Sequence, residues 1–312
     1  MRVAAVQARP AWLDPAATAE RAVAWVERAA DAGAELVAFP ETFLSGYPAW
    51  IRAGTGIGFE DPAQRAAYAA YLDAAVAADG PEVARVCRAA ARRDVFVYLG
   101  ASERTVSGGR GTVYCTLFAI HPRHGVVGAH RKLVPTHQER SVWGRGDGHG
   151  LRAHDWRGMR VGGLSCWENW MPQARHALYA DGCELHVATW PGWMGQTADI
   201  TRFIALEGRV AVVSVAGLLD PADVPDDFPL AEAMRAAPER FRFDGGSAIA
   251  GPDGALVAGP VADREGLVLA DIDPAAVREA RLAADPAGHY ARPDVFRVAV
   301  DRRRRSAAEP ID

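Results

Sequence analysis

Short apolar runs of strand character alternate along this chain with amphipathic stretches of helical period, and no other feature constrains the fold as tightly. Arg2–Ala8 reads as a buried strand. Asp14 then caps a helix that carries Pro15 in its first position, and Ala19, Val23, Val26 and Ala30 line one face of it before Gly33 stops it. Glu35–Phe39 is a second strand, Ala66–Ala78 and Pro81–Arg92 are predicted helices, and Val95–Leu99 is a third strand. This order specifies an α/β architecture, with helices laid on the faces of a sheet.

The middle of the chain is richer in strands. Val113–Ile120 and Val126–His130 flank the turn Pro122–Gly125, and Met159–Leu164 runs into Ser165-Cys166. A helix over Pro172–Ala180, a strand over Leu185–Ala188, a helix over Ile200–Leu206 and a strand over Ala211–Val215 continue the alternation. Ala248–Ile249, Ala255–Val257 and Gly266–Ile272 supply the last strands, and Pro274–Ala283 the last helix. The segment Leu218–Asp244, rich in Pro, Asp and Ala, has no place in this scheme and reads as a surface excursion with one short helix over Leu230–Ala237. The expectation is one domain over residues 1–285, followed by an arm over 286–312 that serves oligomer contacts.

Charge narrows the function. With 35 basic against 39 acidic residues the formal net charge is −4, which argues against a nucleic-acid surface. The basic run Arg302–Arg305 reads as a solvated tail. No stretch reaches 18 uncharged apolar residues, and the first residues lack the apolar core of a secretory leader, so a cytoplasmic protein away from membranes is expected. Four scattered cysteines do not make a disulfide framework. No metal site is expected either: His121 and His124 lie in a turn and no cysteine pair supports them. The glycines of Gly54–Gly58 lack the strand-to-helix setting of a phosphate loop.

Three reactive side chains fall where predicted strands end, the position at which open α/β sheets collect ligands. Glu41 follows Leu36-Val37-Ala38-Phe39-Pro40, as either a solvated strand end or a site residue. Lys132 is the only lysine, so 34 of the 35 basic residues are arginine, and a compact ammonium is kept at this one position. Cys166 lies where strand becomes loop ahead of a helix, a turn that exposes a nucleophile and frees backbone N–H groups. Cys87, Cys115 and Cys183 read as packing. Glu139, with Arg140 beside it, reads equally as a salt-bridge partner or a catalytic acid.

Read together, these segments resemble the nitrilase branch of the carbon–nitrogen hydrolase superfamily. The matching stretches are Phe39-Pro40-Glu41-Thr42-Phe43 with Gly46-Tyr47-Pro48, His130-Arg131-Lys132-Leu133-Val134-Pro135-Thr136 with Glu139-Arg140, and Cys166-Trp167-Glu168-Asn169-Trp170-Met171-Pro172. Ala205-Leu206-Glu207-Gly208-Arg209 and Gly288-His289-Tyr290-Ala291-Arg292-Pro293 extend the match over nearly the whole chain. The resemblance implies a four-layer α-β-β-α sandwich of two mixed sheets and a triad of Glu41, Lys132 and Cys166, with Glu139 as a second carboxylate. It implies no cofactor, a small-molecule nitrile as the substrate, and a homodimer or larger homo-oligomer. Gln173, His149-Gly150 and the short tail depart from the branch's usual pattern.

The chemistry so implied is hydrolysis of an organic nitrile to a carboxylic acid and ammonia through a thioimidate and a thioester on Cys166. An amidase is the alternative, and a non-catalytic binding protein a remote one. Tyr47, Trp50, Trp167, Trp190 and Trp193 cluster around the same landmarks and are candidates for the pocket wall. They leave an aliphatic and an aromatic substrate equally open.

Overall fold

The computed structural model describes residues 1–53, 58–105 and 109–306. The stretch Gly54–Ile57 and the last six residues of the predicted arm lie outside them. The first half runs β1 (Arg2–Gln7), α1 (Pro15–Asp31), β2 (Leu36–Ala38), α2 (Pro62–Asp73), α3 (Pro81–Arg93), β3 (Phe96–Arg104), β4 (Val113–His121) and β5 (Gly125–Arg131). Then come β6 (His154–Trp156), β7 (Met159–Ser165), α4 (Pro172–Ala180), β8 (Leu185–Trp190), α5 (Met194–Gly208) and β9 (Ala211–Ala216). The chain continues through β10 (Leu218–Leu219), α6 (Ala231–Arg235), α7 (Pro238–Phe241), β11 (Phe243–Ala250), β12 (Leu256–Ala262), β13 (Gly266–Asp271) and α8 (Pro274–Ala280).

The strands form two mixed sheets. One has the order β13-β1-β2-β3-β4-β5, and the other β10-β11-β9-β8-β7-β6 with β12 on β11. Within them β1, β2 and β3 are parallel, as are β7, β8 and β9. Strand alternation explains the layering. Val3 and Ala5 of β1 point into the layer between the sheets, with Leu36, Phe96, Val161, Val187 and Val213, while Ala4 and Val6 face the helix layer with Ala22 and Val26 of α1 and Val86 of α3. On the far side α4 and α5 cover the second sheet, packing Leu178 on Leu164 and Ile200 and Ile204 around Ala188 and Val212. Both faces of the inner strands are buried, so they read as continuous apolar runs, and a one-residue slip would exchange the two layers. Helices outside and sheets inside give the expected four-layer sandwich.

Element limits differ in places from the sequence reading, each for a visible reason. Helix α2 begins four residues early because Asp61 caps it, accepting from the Gln64 N–H, with Pro62 at its first position. It ends at Asp73 because Val76 leaves the helix to pair beside Glu103. Strand β3 runs on to Arg104 because β4 pairs with it along its whole length. The excursion Leu218–Asp244 is not a loose surface loop: its ends pair with each other as β10 and β11, and Leu219, Val224, Phe228, Met234 and Phe241 are buried against Trp50 and Tyr71.

The basic run is docked through two of its arginines, while Arg303 and Arg305 stay exposed, as expected of a solvated tail. Arg302 pairs with Asp181 at 2.8 Å, and Arg304 pairs with Asp147 at 3.0 Å and donates to the Ala129 carbonyl. Among the described residues, no helix is long and apolar enough to cross a membrane.

Candidate active site

The three reactive residues leave the carboxyl ends of β2, β5 and β7, and the sandwich brings those ends together. Glu41 reaches its place because the loop after β2 crosses directly over β3 at Gly100. A Cβ there would lie 2.0 Å from the Pro40 carbonyl oxygen, so only glycine admits the crossing. The Glu41 N–H donates to the Trp190 carbonyl at 3.3 Å, which ties this loop to the end of β8 in the other sheet. Lys132 follows β5, its N–H donating to the Cys115 carbonyl at 2.8 Å. Cys166 opens a one-turn helix with φ of 54°, a left-handed conformation uncommon outside glycine.

These side chains form one buried cluster. Lys132 Nζ donates to Glu41 Oε1 at 2.8 Å and to Glu139 Oε2 at 2.7 Å. Glu139 also accepts from the Tyr47 hydroxyl at 2.9 Å and from the Thr136 N–H at 2.7 Å, while Arg140 turns away to the Pro135 carbonyl. Glu139 therefore belongs to the cluster and is not Arg140's partner. A carboxylate oxygen from each of Glu41 and Glu139 and the Cys166 Sγ all lie within 4.8 Å of one another. Among the described residues, nothing hydrogen-bonds the buried Glu41 Oε2. Such an oxygen is costly, and a catalytic role is one reason for a fold to keep it.

Burial sets the electrostatics. It pushes the Glu41 carboxyl up to about 7, against the opposing pull of Lys132 and with the repulsion of Glu139 added. Burial works against the Lys132 ammonium, but attraction to Cys166, Glu139 and Glu41 outweighs it and holds Lys132 protonated. The Cys166 thiol is driven well above the ordinary thiol range, chiefly by burial; Lys132 opposes this shift and the two carboxylates reinforce it. The resting state thus holds a neutral thiol beside a carboxyl that gains or loses its proton near neutrality. Such a donor set could in principle attract a cation, but the ammonium already sits between both carboxylates.

A second layer fixes these groups. Glu168 is buried and accepts from the Leu133 N–H at 2.8 Å, from the Ser165 N–H at 3.2 Å and from His130 Nε2 at 2.9 Å. Burial opposes its charge, but His130 and the two backbone donors hold its carboxyl below the usual range. It ties the residue after Lys132 to the residue before Cys166. Asn169 donates to the Leu164 and Cys166 carbonyls, and its Oδ1 accepts from His186, which burial pushes down to about 3 and so keeps neutral. Two features that depart from the branch pattern also find their places here. Gly150 lies against the His130 backbone, where a Cβ would come within 2.3 Å of Cα, and the His149 ring bonds the Arg302 carbonyl.

Beside the cluster opens a cavity of about 120 Å³. Cys166, Glu139, Tyr47, Trp167, Trp190 and Trp193 line it. Trp50 does not: it lies buried in the packing layer against Tyr71, so that candidate for the pocket wall belongs to the core. Two residues escaped the sequence reading. Cys115, read as packing, is buried but also donates from Sγ to Glu41 Oε1 at 3.3 Å. The tight hairpin at Pro122–Gly125 was the available signal, because it pairs Thr116 with Arg131 and so sets Cys115 beside Lys132. Arg52 lines the same cavity, and no local pattern marks it.

Comparison with known proteins bears on the family and the fold. The sequence profile described as Carbon-nitrogen hydrolase matches residues 2–282. A nitrilase of Bradyrhizobium diazoefficiens is 37% identical over 310 residues, covering 99% of this chain and 95% of that one. An aliphatic nitrilase of Rhodococcus rhodochrous is 38% identical over 315 residues, covering 97% and 83%. Among solved structures, a CN-hydrolase superfamily protein of Xanthomonas campestris superposes with a TM-score of 0.70 at 22% identity, covering 96% and 99%. That last likeness bears on the fold.

Proposed function

The chain belongs to the carbon–nitrogen hydrolase family, and from that premise we propose that it hydrolyses nitriles to carboxylic acids and ammonia. The buried Glu41–Lys132–Cys166 cluster, with a Glu41 carboxylate oxygen within 4.8 Å of the thiol, carries the reading. Similarity to nitrilases over nearly the whole chain supports nitriles as the substrate class.

In this account Cys166 Sγ adds to the nitrile carbon and Glu41 takes the thiol proton, which passes to the nitrile nitrogen and gives a thioimidate. The Lys132 ammonium stabilises negative charge developing on that nitrogen, in a water-poor site where it acts strongly. Water adds to the thioimidate carbon and ammonia departs, leaving a thioester. A second water releases the carboxylic acid and restores the thiol. Glu139 holds Lys132 from the other side, and with Glu41 moves protons to and from the incoming waters.

The test is ammonia release from a panel of aliphatic, aromatic and arylacetonitriles. Ammonia with the matching acid is expected, whereas turnover confined to amides would make the protein an amidase. The pH dependence follows from Glu41, which accepts a proton only when ionised. Because its pKa lies near 7, kcat/KM is expected to rise as pH increases through about 7 and then level off. A profile that falls through that range contradicts Glu41 as the base.

The arm after residue 285 and the surface of α5 are proposed to form a contact between two copies. Phe203 and Leu206 on α5, and Phe296 and Val298 on the arm, are exposed, an apolar surface that suits a partner. The Leu218–Asp244 excursion buries its large apolar side chains against Trp12, Trp50 and Tyr71. Light scattering should give a dimer or larger for the full chain and a smaller mass after truncation before Gly288. A monomer in both cases contradicts the proposal.

A further inference from the structure

Arg52 ends the one-turn helix Ala49–Arg52 and lines the cavity that holds Cys166. Its guanidinium lies 4.5 Å from the Trp193 ring centroid, 5.4 Å from Phe243 and 5.8 Å from Tyr47, an aromatic shelf that fixes its plane. One donor reaches the Arg240 carbonyl at 3.3 Å. Among the described residues no ion pair joins a carboxylate to Arg52, whose guanidinium has five donors. Glu139, the carboxylate lining the same cavity, is already engaged by Lys132, Tyr47 and Thr136.

The cluster beneath carries two carboxylates against one ammonium, so with Glu41 ionised it repels an anion. A cation in the cavity wall offsets that repulsion, and its planar fork matches a carboxylate. The cavity, at about 120 Å³, is somewhat smaller than one of roughly 150 Å³ that takes up benzene. A short chain suits it.

Resting on the nitrilase reading, we infer that the substrate is a short aliphatic nitrile that carries a carboxylate, with its nitrile carbon at Cys166 and its carboxylate on Arg52. The test compares cyanopropanoate with its methyl ketone isostere, in which a methyl group replaces one carboxylate oxygen. The parent protein is expected to favour the acid by roughly 10- to 100-fold in kcat/KM, chiefly through KM. In Arg52→Gln that ratio falls to about one, and Arg52→Lys restores part of it. Equal losses on both substrates in Arg52→Gln would assign Arg52 to holding the Arg240 segment, and a parent that prefers the ketone would overturn the inference outright. If neither nitrile releases ammonia, the nitrilase reading fails; the corresponding pair of amides then puts the same ratio to Arg52.

Discussion

Replacing Cys166 by alanine is expected to reduce kcat by roughly ten-thousandfold or more, the scale of loss when a nucleophile acting as part of a unit is removed. The substitution removes one sulfur from a buried position whose backbone is fixed by Asn169 and by the Glu168 bridge, so the protein should stay folded. The other thiols separate the causes. Cys87→Ala and Cys183→Ala touch no member of the cluster and should keep most of the activity. Cys115→Ala removes the donor to Glu41 Oε1 and should cost roughly tenfold, the worth of about one hydrogen bond. Steady-state kinetics on the four variants, each checked for a cooperative melt, distinguishes one essential thiol from general damage.

Lys132→Arg carries the second large effect. Lys132 is 1% exposed and is held between carboxylate oxygens at 2.8 and 2.7 Å. A guanidinium keeps the charge but needs a larger plane and spreads its donors. Displacing the cation by about 1 Å can cost on the order of 100-fold in rate, and kcat is expected to fall at least that far. The melting temperature should fall as well, because overpacking a closed site costs roughly 1–3 kcal/mol. Both losses should therefore appear, with kcat measured well below the melting transition of the variant. Near-parental kcat would remove Lys132 from the chemistry.

Much of this was legible in the sequence because the inner strands are buried on both faces. Arg2–Ala8, Glu35–Phe39 and Ala211–Val215 announce themselves as apolar runs, and Glu41, Lys132 and Cys166 then fall where such runs end. What the sequence hid depended on contacts between distant segments. Trp50 and Tyr47 stand three residues apart, yet Tyr47 reaches Glu139 while Trp50 packs against Tyr71. The Leu218–Asp244 excursion looked polar because its buried residues are spaced irregularly among Pro and Asp. The arginines of the tail found carboxylates, Asp147 and Asp181, more than 100 positions away. Glu168 sat within the strongest motif, but its role as a bridge needs Leu133 brought alongside it, which only the assembled sandwich does.

The most direct test of the account is the mass of the protein quenched during nitrile turnover, followed by mapping of the modified peptide. The prediction is an acyl or thioimidate adduct on Cys166, present in the parent, absent in Cys166→Ala and accompanied by ammonia. Because Cys115 also borders Glu41, the peptide assignment is decisive. An adduct on Cys115, or ammonia released with undiminished turnover by Cys166→Ala, would contradict the central claim.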